Sequence, residues 1–317
     1  MNILITGGAG FIGSHLVKKH LAQSDDVYVI DNFITGQKQN IDGFLKAGNF
    51  HFYESDLLTY DFSALPSMDY IYHLASPASP IQYKRYPVET LRVNSEGTYR
   101  ALEFMTHSKS KQFVITSTSE VYGDPLEHPQ TETYWGNVNP NGERSCYDEA
   151  KRYSEAMVMT YKRKYNLDVR IARLFNTYGP NMEQNDGRVV SNFCMQALKN
   201  EPLTVNGDGT QTRSFCYVDD TVEALYKLVS TPSLSGEVVN IGNTDERTID
   251  ELARLIIKLS RSSSSIDHTP LTQDDPKKRK PDITKARNLL NWQPSVSLEE
   301  GLKKTINYFK VRFEEKA

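Results

Sequence analysis

A glycine-rich turn close to the first residue constrains the fold of this chain more than any other feature. The apolar run from Asn2 to Thr6 is typical of a buried strand, and the segment from Phe11 to Leu21 has the periodicity of a helix. Between them lie Gly7, Gly8, Gly10 and Gly13. Such glycines permit a tight turn and a close approach of a phosphate, which the free N–H groups at the helix start would then bind. The pattern predicts a strand–turn–helix unit that binds a dinucleotide.

A second strand pattern supports this prediction and indicates which dinucleotide would bind. Residues 27–30 have the apolar character of a buried strand, and Asp31 follows them about 20 residues beyond the glycines, where a ribose-binding carboxylate is expected. An acid at this place favours NAD over NADP because it would repel a 2′-phosphate. The alternative interpretation is a plain glycine turn followed by an aspartate that caps a helix.

The first half of the chain alternates between strand and helix patterns. Further strands are predicted at residues 50–54, 69–73, 112–116 and 168–173, and long helices at residues 87–107 and 147–165. This alternation is typical of an α/β fold with a Rossmann-type doubly wound parallel sheet, whose ligands bind beyond the carboxyl ends of the strands. We therefore expect residues 1–180 to form an NAD-binding Rossmann domain.

The alternation fades after Pro180. Helices are predicted at residues 187–198, 219–230, 248–259 and 298–313, with short strands at residues 203–205 and 215–217. We expect residues 215–240 to return to the first domain. Residues 181–317 should otherwise form mainly a smaller C-terminal α/β lobe that closes over the cofactor and binds the substrate.

The composition excludes several classes of protein. A net charge of −3 gives no sign of a nucleic-acid surface, and no apolar run approaches the roughly 20 residues that a membrane span needs. A strand that begins at the first residue leaves no room for a signal peptide. The three cysteines and seven histidines show no metal-ligand spacing, so no metal is expected. Reduced, mostly buried thiols in a cytoplasmic protein are the simplest interpretation of the cysteines.

A tyrosine and a lysine four residues apart indicate base chemistry. Tyr147 and Lys151 would share one face of a helix. A phenol with a pKa of about 10 is a poor base at neutral pH, and lowering that pKa by about three units requires about 4 kcal/mol. An ammonium group roughly 6 Å away supplies about 3 kcal/mol at an effective dielectric constant near 20, and a cationic nicotinamide ring would supply the rest. The pair therefore predicts a tyrosinate base beside an oxidising dinucleotide.

These motifs together resemble the extended short-chain dehydrogenase/reductase family, in its nucleotide-sugar-modifying branch, over nearly the whole chain. The shared features are the glycine turn, Asp31, Asp56-Leu57, His73-Leu-Ala75, the Tyr147/Lys151 pair and Asn176-Thr-Tyr-Gly-Pro180. Longer and more specific runs at residues 73–80, 117–125, 144–149 and 186–193 are similar to the decarboxylases of that branch, which convert UDP-glucuronate to UDP-xylose.

The resemblance implies a mechanism with assigned residues. Tyr147, assisted by Lys151, would take the proton from the sugar C4 hydroxyl while a hydride passes to NAD. The resulting 4-ketone would allow the C5 carboxylate to leave as CO₂, after which reprotonation and return of the hydride complete the cycle. Thr118 would hydrogen-bond the reacting oxygen, and Glu120 would handle protons or water near C5.

The resemblance also assigns the binding residues. NAD would be bound by Gly7, Gly10, Phe11, Ile12, Asp31, Asn32, Phe33, Asp56, Leu57, Leu74, Ala75, Tyr147 and Lys151. The UDP-sugar would be bound by Pro77, Tyr83, Arg92, Asn176, Arg188, Arg213 and Arg279. The basic run at residues 277–280 could instead be a solvated loop or a targeting patch. By family analogy, the helices at residues 87–107 and 147–165 would pair across a homodimer.

Some residues distinguish between sibling reactions, and others depart from the family. Related 4,6-dehydratases carry an Asp-Glu pair where this chain has Ser119-Glu120, so the acid that expels a C6 hydroxyl is missing. Asn181 stands where the decarboxylases usually carry Arg, and Arg92 stands where a Lys is common. A sibling 4-epimerase or dehydratase remains an alternative, as does a non-catalytic NAD-binding module.

Overall fold

A computed structural model of the chain describes residues 1–270 and 278–314. In chain order the strands are β1 (Asn2–Thr6), β2 (Asp26–Asp31), β3 (Phe50–Glu54), β4 (Tyr70–His73), β5 (Gln112–Thr118), β6 (Asp168–Leu174), β7 (Thr177–Tyr178), β8 (Leu203–Asn206), β9 (Thr212–Ser214), β10 (Cys216–Tyr217), β11 (Val238–Ile241), β12 (Glu246–Thr248), β13 (Ile266–Thr269) and β14 (Lys278–Arg279). The helices are α1 (Phe11–Leu21), α2 (Pro80–Arg85), α3 (Pro87–Arg92), α4 (Thr98–Ser108), α5 (Ser145–Tyr165), α6 (Val189–Leu198), α7 (Val218–Ser230), α8 (Ile249–Ser260), α9 (Thr284–Leu290) and α10 (Leu298–Glu314).

A seven-stranded parallel sheet forms the centre of the molecule, in the order β11-β6-β5-β4-β1-β2-β3. Alternate residues of its strands enter two different clusters of buried side chains. Ile3 and Ile5 belong to one cluster, with side chains of α1 and α7, whereas Leu4 belongs to the other, with side chains of α4 and α5. Both faces are therefore covered, as parallel sheets require, and the predicted fold class is confirmed.

The first strand and helix have the predicted bounds, and the predicted helix at residues 87–107 differs in one detail. Residues 93–97 form a π-helical turn between α3 and α4. The cause is local competition for one acceptor, because the carbonyl oxygen of Asn94 accepts bonds from the hydroxyls of Thr98 at 2.8 Å and Ser154 at 2.5 Å. Side chains that insert into the helical hydrogen-bond ladder commonly widen a helix in this way.

The C-terminal part of the chain contributes small sheets and further helices. β9 lies between β12 and β14, and β8 pairs with β13. Helix α8 begins with a capping box, in which Thr248 and Glu251 each bond the other's backbone N–H. β11 joins the main sheet beside β6, and α7 packs against α1. Through β11 and α7 the second part of the chain is thus joined to the main sheet, at the carboxyl ends of its strands.

The structure also shows the state of the three cysteines and the length and polarity of the helices. Cys146, Cys194 and Cys216 are free thiols, of which the last two are buried. In the two stretches 1–270 and 278–314, no helix combines the length and the apolar character that crossing a membrane requires.

Candidate active site

A cavity of about 710 Å³ opens at the carboxyl ends of the sheet strands. It brings together residues that lie far apart in the sequence, because each strand of a parallel sheet delivers its following loop to the same edge. The predicted site residues that line it are Gly7, Gly10, Phe11, Ile12, Asp31, Asn32, Asp56, Leu57, Leu74, Ala75, Pro77, Tyr83, Arg92, Thr118, Glu120, Tyr147, Lys151, Asn176, Arg188, Arg213 and Arg279.

Phe33 stands outside this lining among the described residues. Its backbone adopts a positive φ of 56°, and its ring packs against Phe52 with the ring centres 5.3 Å apart. Its N–H donates to the Asp31 carboxylate at 2.8 Å. Phe33 therefore shapes the turn after β2 through its backbone, and its ring belongs to the core.

The backbone of the glycine turn, residues 7–13, surrounds a narrow space that side chains at the glycine positions would fill. We call this feature the glycine cradle. A Cβ atom on Gly13 would lie 2.2 Å from the carbonyl oxygen of Gly7, and Gly7 itself has a φ of +76°. Asp31 holds the turn in place by accepting the N–H of Ala9 at 3.0 Å. A Cβ on Gly36 would lie 2.7 Å from the same carboxylate. The backbone is thus pressed close around the start of α1, and the cradle fits the pyrophosphate and ribose of a dinucleotide.

The candidate base and its lysine are both buried in the first two turns of α5. Tyr147 is 5% exposed and Lys151 is 3% exposed. The lysine Nζ donates to the Thr116 carbonyl oxygen at 2.9 Å and lies 5.9 Å from the centre of the Tyr147 ring. Tyr83 stacks on the Tyr147 ring, with the ring centres 5.1 Å apart. The helix spacing therefore places the pair as predicted, inside the cavity.

Burial governs the pKa of both groups. Desolvation raises the pKa of Tyr147 to about 12, although a hydrogen bond with Thr118 opposes the shift. Desolvation lowers the pKa of Lys151 to about 7, with Glu155 opposing. From their spacing alone, Lys151 is expected to supply most of the lowering of the Tyr147 pKa. In the structure the phenol stays protonated at neutral pH, because burial penalises both charged forms.

Glu120 lies in a strongly cationic environment. Its carboxylate forms ion pairs with Arg279 through two bonds and with Arg144 at 2.6 Å. Burial alone would raise the pKa of Glu120, but the charges of the two arginines outweigh it and lower that pKa to about 2. Glu120 is therefore ionised across the physiological range. Arg144 belongs to the motif at residues 144–149, but it carries no role assigned from sequence; it stands at the N-cap of α5, three residues before Tyr147.

The predicted substrate residues approach from several elements. Arg213 and Arg279 are register partners on the neighbouring strands β9 and β14. Arg188 lies just before α6 and pairs with Asp186 at 3.3 Å. Arg92 is held by Glu96 through bonds of 2.9 and 2.8 Å. These groups place several guanidinium forks along one cavity, a chemistry suited to phosphate and carboxylate. Lys277, which begins the basic run, lies outside the described residues.

His73 and Asp220 are buried titratable residues whose side chains bond structural partners outside the cavity lining. His73 is buried between the hydroxyls of Thr6 at 2.8 Å and Thr98 at 3.0 Å, and burial lowers its pKa to about 3. Asp220, in the first turn of α7, accepts bonds from Ser295 and Val296. Neither residue lines the cavity. Over residues 1–270 and 278–314, no group of three or more His, Cys, Asp or Glu side chains could hold a metal ion.

The similarity to known proteins extends over nearly all of this chain. Residues 4–305 match the family described as GDP-mannose 4,6 dehydratase. The chain is 51% identical over 315 residues to UDP-glucuronic acid decarboxylase 2 of Arabidopsis thaliana, covering 98% of this chain and 69% of the relative. It is 50% identical over 315 residues to UDP-glucuronic acid decarboxylase 1 of Danio rerio, covering 99% and 74%.

Solved structures show the same architecture. UDP-glucuronic acid 4-epimerase of Bacillus cereus, in complex with UDP-glucuronic acid and NAD, has a TM-score of 0.90 at 31% identity, covering 98% of this chain and 100% of that one. UDP-glucose 4-epimerase of Thermotoga maritima, with UDP-glucose, has a TM-score of 0.90 at 33% identity, covering 99% and 100%. The chain belongs to the GDP-mannose 4,6 dehydratase family and has the extended short-chain dehydrogenase/reductase fold of these epimerases.

Proposed function

We propose that this protein decarboxylates UDP-glucuronate to UDP-xylose and uses NAD as a catalytic cofactor. The observation that carries the proposal is the convergence of Tyr147, Thr118 and Glu120 on one cavity beside the glycine cradle. The neighbouring Ser119 is a buried hydroxyl where a dehydratase would need an acid. Relatives at about half identity over nearly the whole chain are decarboxylases of UDP-glucuronic acid.

The residues of the cradle would hold the dinucleotide. Gly7, Gly10 and the first residues of α1 would bind its pyrophosphate, and Asp31 its adenosine ribose. When bound, NAD accepts a hydride from the sugar C4 and later returns it. Lys151, whose pKa burial lowers, would lie beside the nicotinamide end of the cleft. Because the cofactor ends each cycle in its starting redox state, no external reductant is needed.

Tyr147 and Thr118 act on the oxygen at C4. We propose that Tyr147 removes the hydroxyl proton while Thr118 orients the oxygen through its own hydroxyl. The C4 carbonyl thus formed is β to the carboxylate, so the C5–carboxylate bond can break with its electron pair delocalised into the ketone. CO₂ leaves, and C5 takes a proton in its place. The departing group needs no acid, which suits a site with Ser119 rather than Asp.

Glu120, paired with Arg144 and Arg279, would lie near C5 of the sugar. The carboxylate, ionised near neutral pH because its pKa is about 2, would order water near C5 rather than donate a proton itself. We propose that the UDP part is bound by Asn176, Arg188, Arg213 and Arg279. The sugar would be contacted by Pro77, Tyr83 and Arg92. On this proposal the sheet unit carries NAD, and the C-terminal lobe contributes Arg188, Arg213 and Arg279 to the nucleotide-sugar site.

A 4-epimerase is the second candidate, because solved epimerases share the fold with a TM-score of 0.90. Epimerisation would use the same C4 oxidation but would keep the carboxylate. The two reactions are distinguished by product mass. Purified protein incubated with UDP-glucuronate, without added reductant, should yield CO₂ and UDP-xylose by liquid chromatography and mass spectrometry. A product of unchanged mass, or turnover of dTDP-glucose to a 4-keto-6-deoxy sugar instead, would refute decarboxylation.

We further propose that the protein is a homodimer joined through α3, α4 and α5. Large apolar and aromatic side chains on these helices remain exposed in the single chain. They include Val88, Leu91, Tyr99, Tyr153 and Tyr165. Burying such a surface against a second copy would remove it from water.

A further inference from the structure

A polar bridge lies beside the glycine turn, made by Ser14, Asn40 and Asn181. Asn181 follows Pro180 and adopts a left-handed backbone conformation with a φ of 68°. Asparagine tolerates this conformation better than most residues. Its side-chain amide donates to the Ser14 hydroxyl at 3.0 Å. A loop that leads into the second lobe is thereby bonded to the first turn of α1.

Asn40 completes the bridge from the other side. Its amide donates to the carbonyl oxygen of Ala9, within the glycine turn, at 3.0 Å and to that of Asn181 at 3.4 Å. Gln37, on the same loop, donates its N–H to Ala9 at 3.0 Å. The side chain of Asn40 is buried, so its bonds face little competition from water. Three separate segments of chain are thus tied together at one place.

The bridge borders the cavity that would hold the cofactor. Asn40 and Asn181 both line it, as do Gly10 and Gly36. A second contact supports the same loop, because the ring Nε2 of His15 lies 3.0 Å from the Pro180 carbonyl oxygen. Separating the loops at residues 34–40 and 180–182 from the glycine turn and α1 would break the amide bonds of the bridge.

We propose that Asn181 is a positioning residue that retains the dinucleotide by joining these loops to the glycine turn. The proposal rests on the proposed function, in which the cofactor is regenerated within each cycle and need not leave. The bridge carries no charge, so it acts by holding the walls of the cleft.

The test measures dinucleotide release directly. The protein is loaded with NADH and mixed with excess NAD⁺, and the decay of bound NADH fluorescence gives the dissociation rate. Asn181→Gly removes the amide while keeping the left-handed backbone accessible. We expect release to be about tenfold faster, the effect of one or two hydrogen bonds of ordinary strength. Ser14→Ala removes the partner hydroxyl and should accelerate release in the same direction.

Asn291→Gly is the matched control. Asn291 also has a positive φ, of 46°, but it is exposed and its carbonyl oxygen bonds Lys227 far from the cavity. The control should release NADH at the wild-type rate. Thermal unfolding without dinucleotide should give similar Tm values for Asn181→Gly and Asn291→Gly, which separates retention from general stability.

The outcomes separate this proposal from the function. Unchanged release from both Asn181→Gly and Ser14→Ala would overturn the bridge while leaving the function intact. Failure of the wild-type protein to bind NADH at all would overturn the proposed function as well. On dilution, Asn181→Gly should lose turnover that added NAD restores, a behaviour that simple loss of folding would not produce.

Discussion

The protonation state of Tyr147 depends on the groups around it. The sequence places it beside Lys151 on a helix, and the structure buries both groups in one cavity. Burial raises the pKa of the phenol to about 12, so the lysine does not create a tyrosinate by itself. We infer that the phenolate forms only when the proton is drawn from a substrate hydroxyl held against it, with Thr118 sharing the oxygen.

Replacing Tyr147 by Phe should therefore abolish most turnover. Loss of a positioned acid–base group costs about 10²- to 10⁴-fold, so we expect kcat to fall within that range while NAD affinity stays near wild type. Steady-state assays and NADH titration measure the two effects. Tyr308→Phe, on α10 and outside the cavity lining, is the control and should retain wild-type turnover. Substantial activity in Tyr147→Phe would refute its assignment as the base.

Lys151 carries a stability cost that depends on pH. Its folded pKa of about 7 lies below its ordinary value of 10.5, so between these values the unfolded chain binds a proton that the folded chain lacks. Stability must then rise with pH across that window, by about 1.4 kcal/mol per pH unit from this residue alone. Compared with Lys151→Met, the wild-type protein should gain free energy of unfolding as the pH rises from about 7 to about 10. Parallel pH profiles in chemical denaturation would contradict this.

At the scale of elements, local pattern explains most of the architecture. The bounds of β1 and α1 follow from an apolar run, a set of glycines and a helical period within the first 21 residues. The π-helical turn at residues 93–97 could not be predicted in this way. It depends on Ser154, which comes from a different helix and reaches the Asn94 carbonyl oxygen. Local sequence does not show which distant hydroxyl will compete for a helical carbonyl.

The glycine cradle should be intolerant of a single methyl group. In Gly13→Ala the added Cβ would meet the Gly7 carbonyl oxygen at 2.2 Å, and the backbone must shift. We expect a loss of about 1–3 kcal/mol in stability, typical of overpacking, together with weak or absent NADH binding. Gly48→Ala has open space around its Cβ and should bind NADH normally. Tight NADH binding by Gly13→Ala would show that the cradle is not the pyrophosphate site.

At the scale of the whole molecule, the assembly of the site depends on contacts across the chain. The doubly wound sheet was predictable because strands and helices alternate. The pairing of Glu120 with Arg279 could not be predicted. It joins a residue just after β5 to another 159 residues later in the chain, on β14, which pairs with β9. Family resemblance implies that Arg279 binds the nucleotide, and the structure adds an ion pair between the same side chain and Glu120. Only the folded chain shows that these charges neutralise one another.

The proposed dimer predicts a surface effect far from the cavity. Leu91 is 44% exposed on α3, at the face we expect to meet a second copy. Leu91→Asp should convert the dimer to a monomer, because burying a carboxylate without a partner is unfavourable. Light scattering during size-exclusion chromatography measures the mass. Leu126→Asp, on an exposed loop elsewhere, is the control and should leave the mass unchanged. A wild-type protein that is monomeric at micromolar concentration would rule out the dimer.

Transient oxidation at C4 within one active site is the central claim, and isotopic labelling tests it most directly. UDP-glucuronate carrying deuterium at C4 should be converted to UDP-xylose that retains the deuterium at C4, because the hydride removed is the one returned. The same label should slow turnover through a primary isotope effect if hydride transfer limits the rate. UDP-xylose with hydrogen at C4, or a labelled product that keeps its carboxylate, would contradict the account.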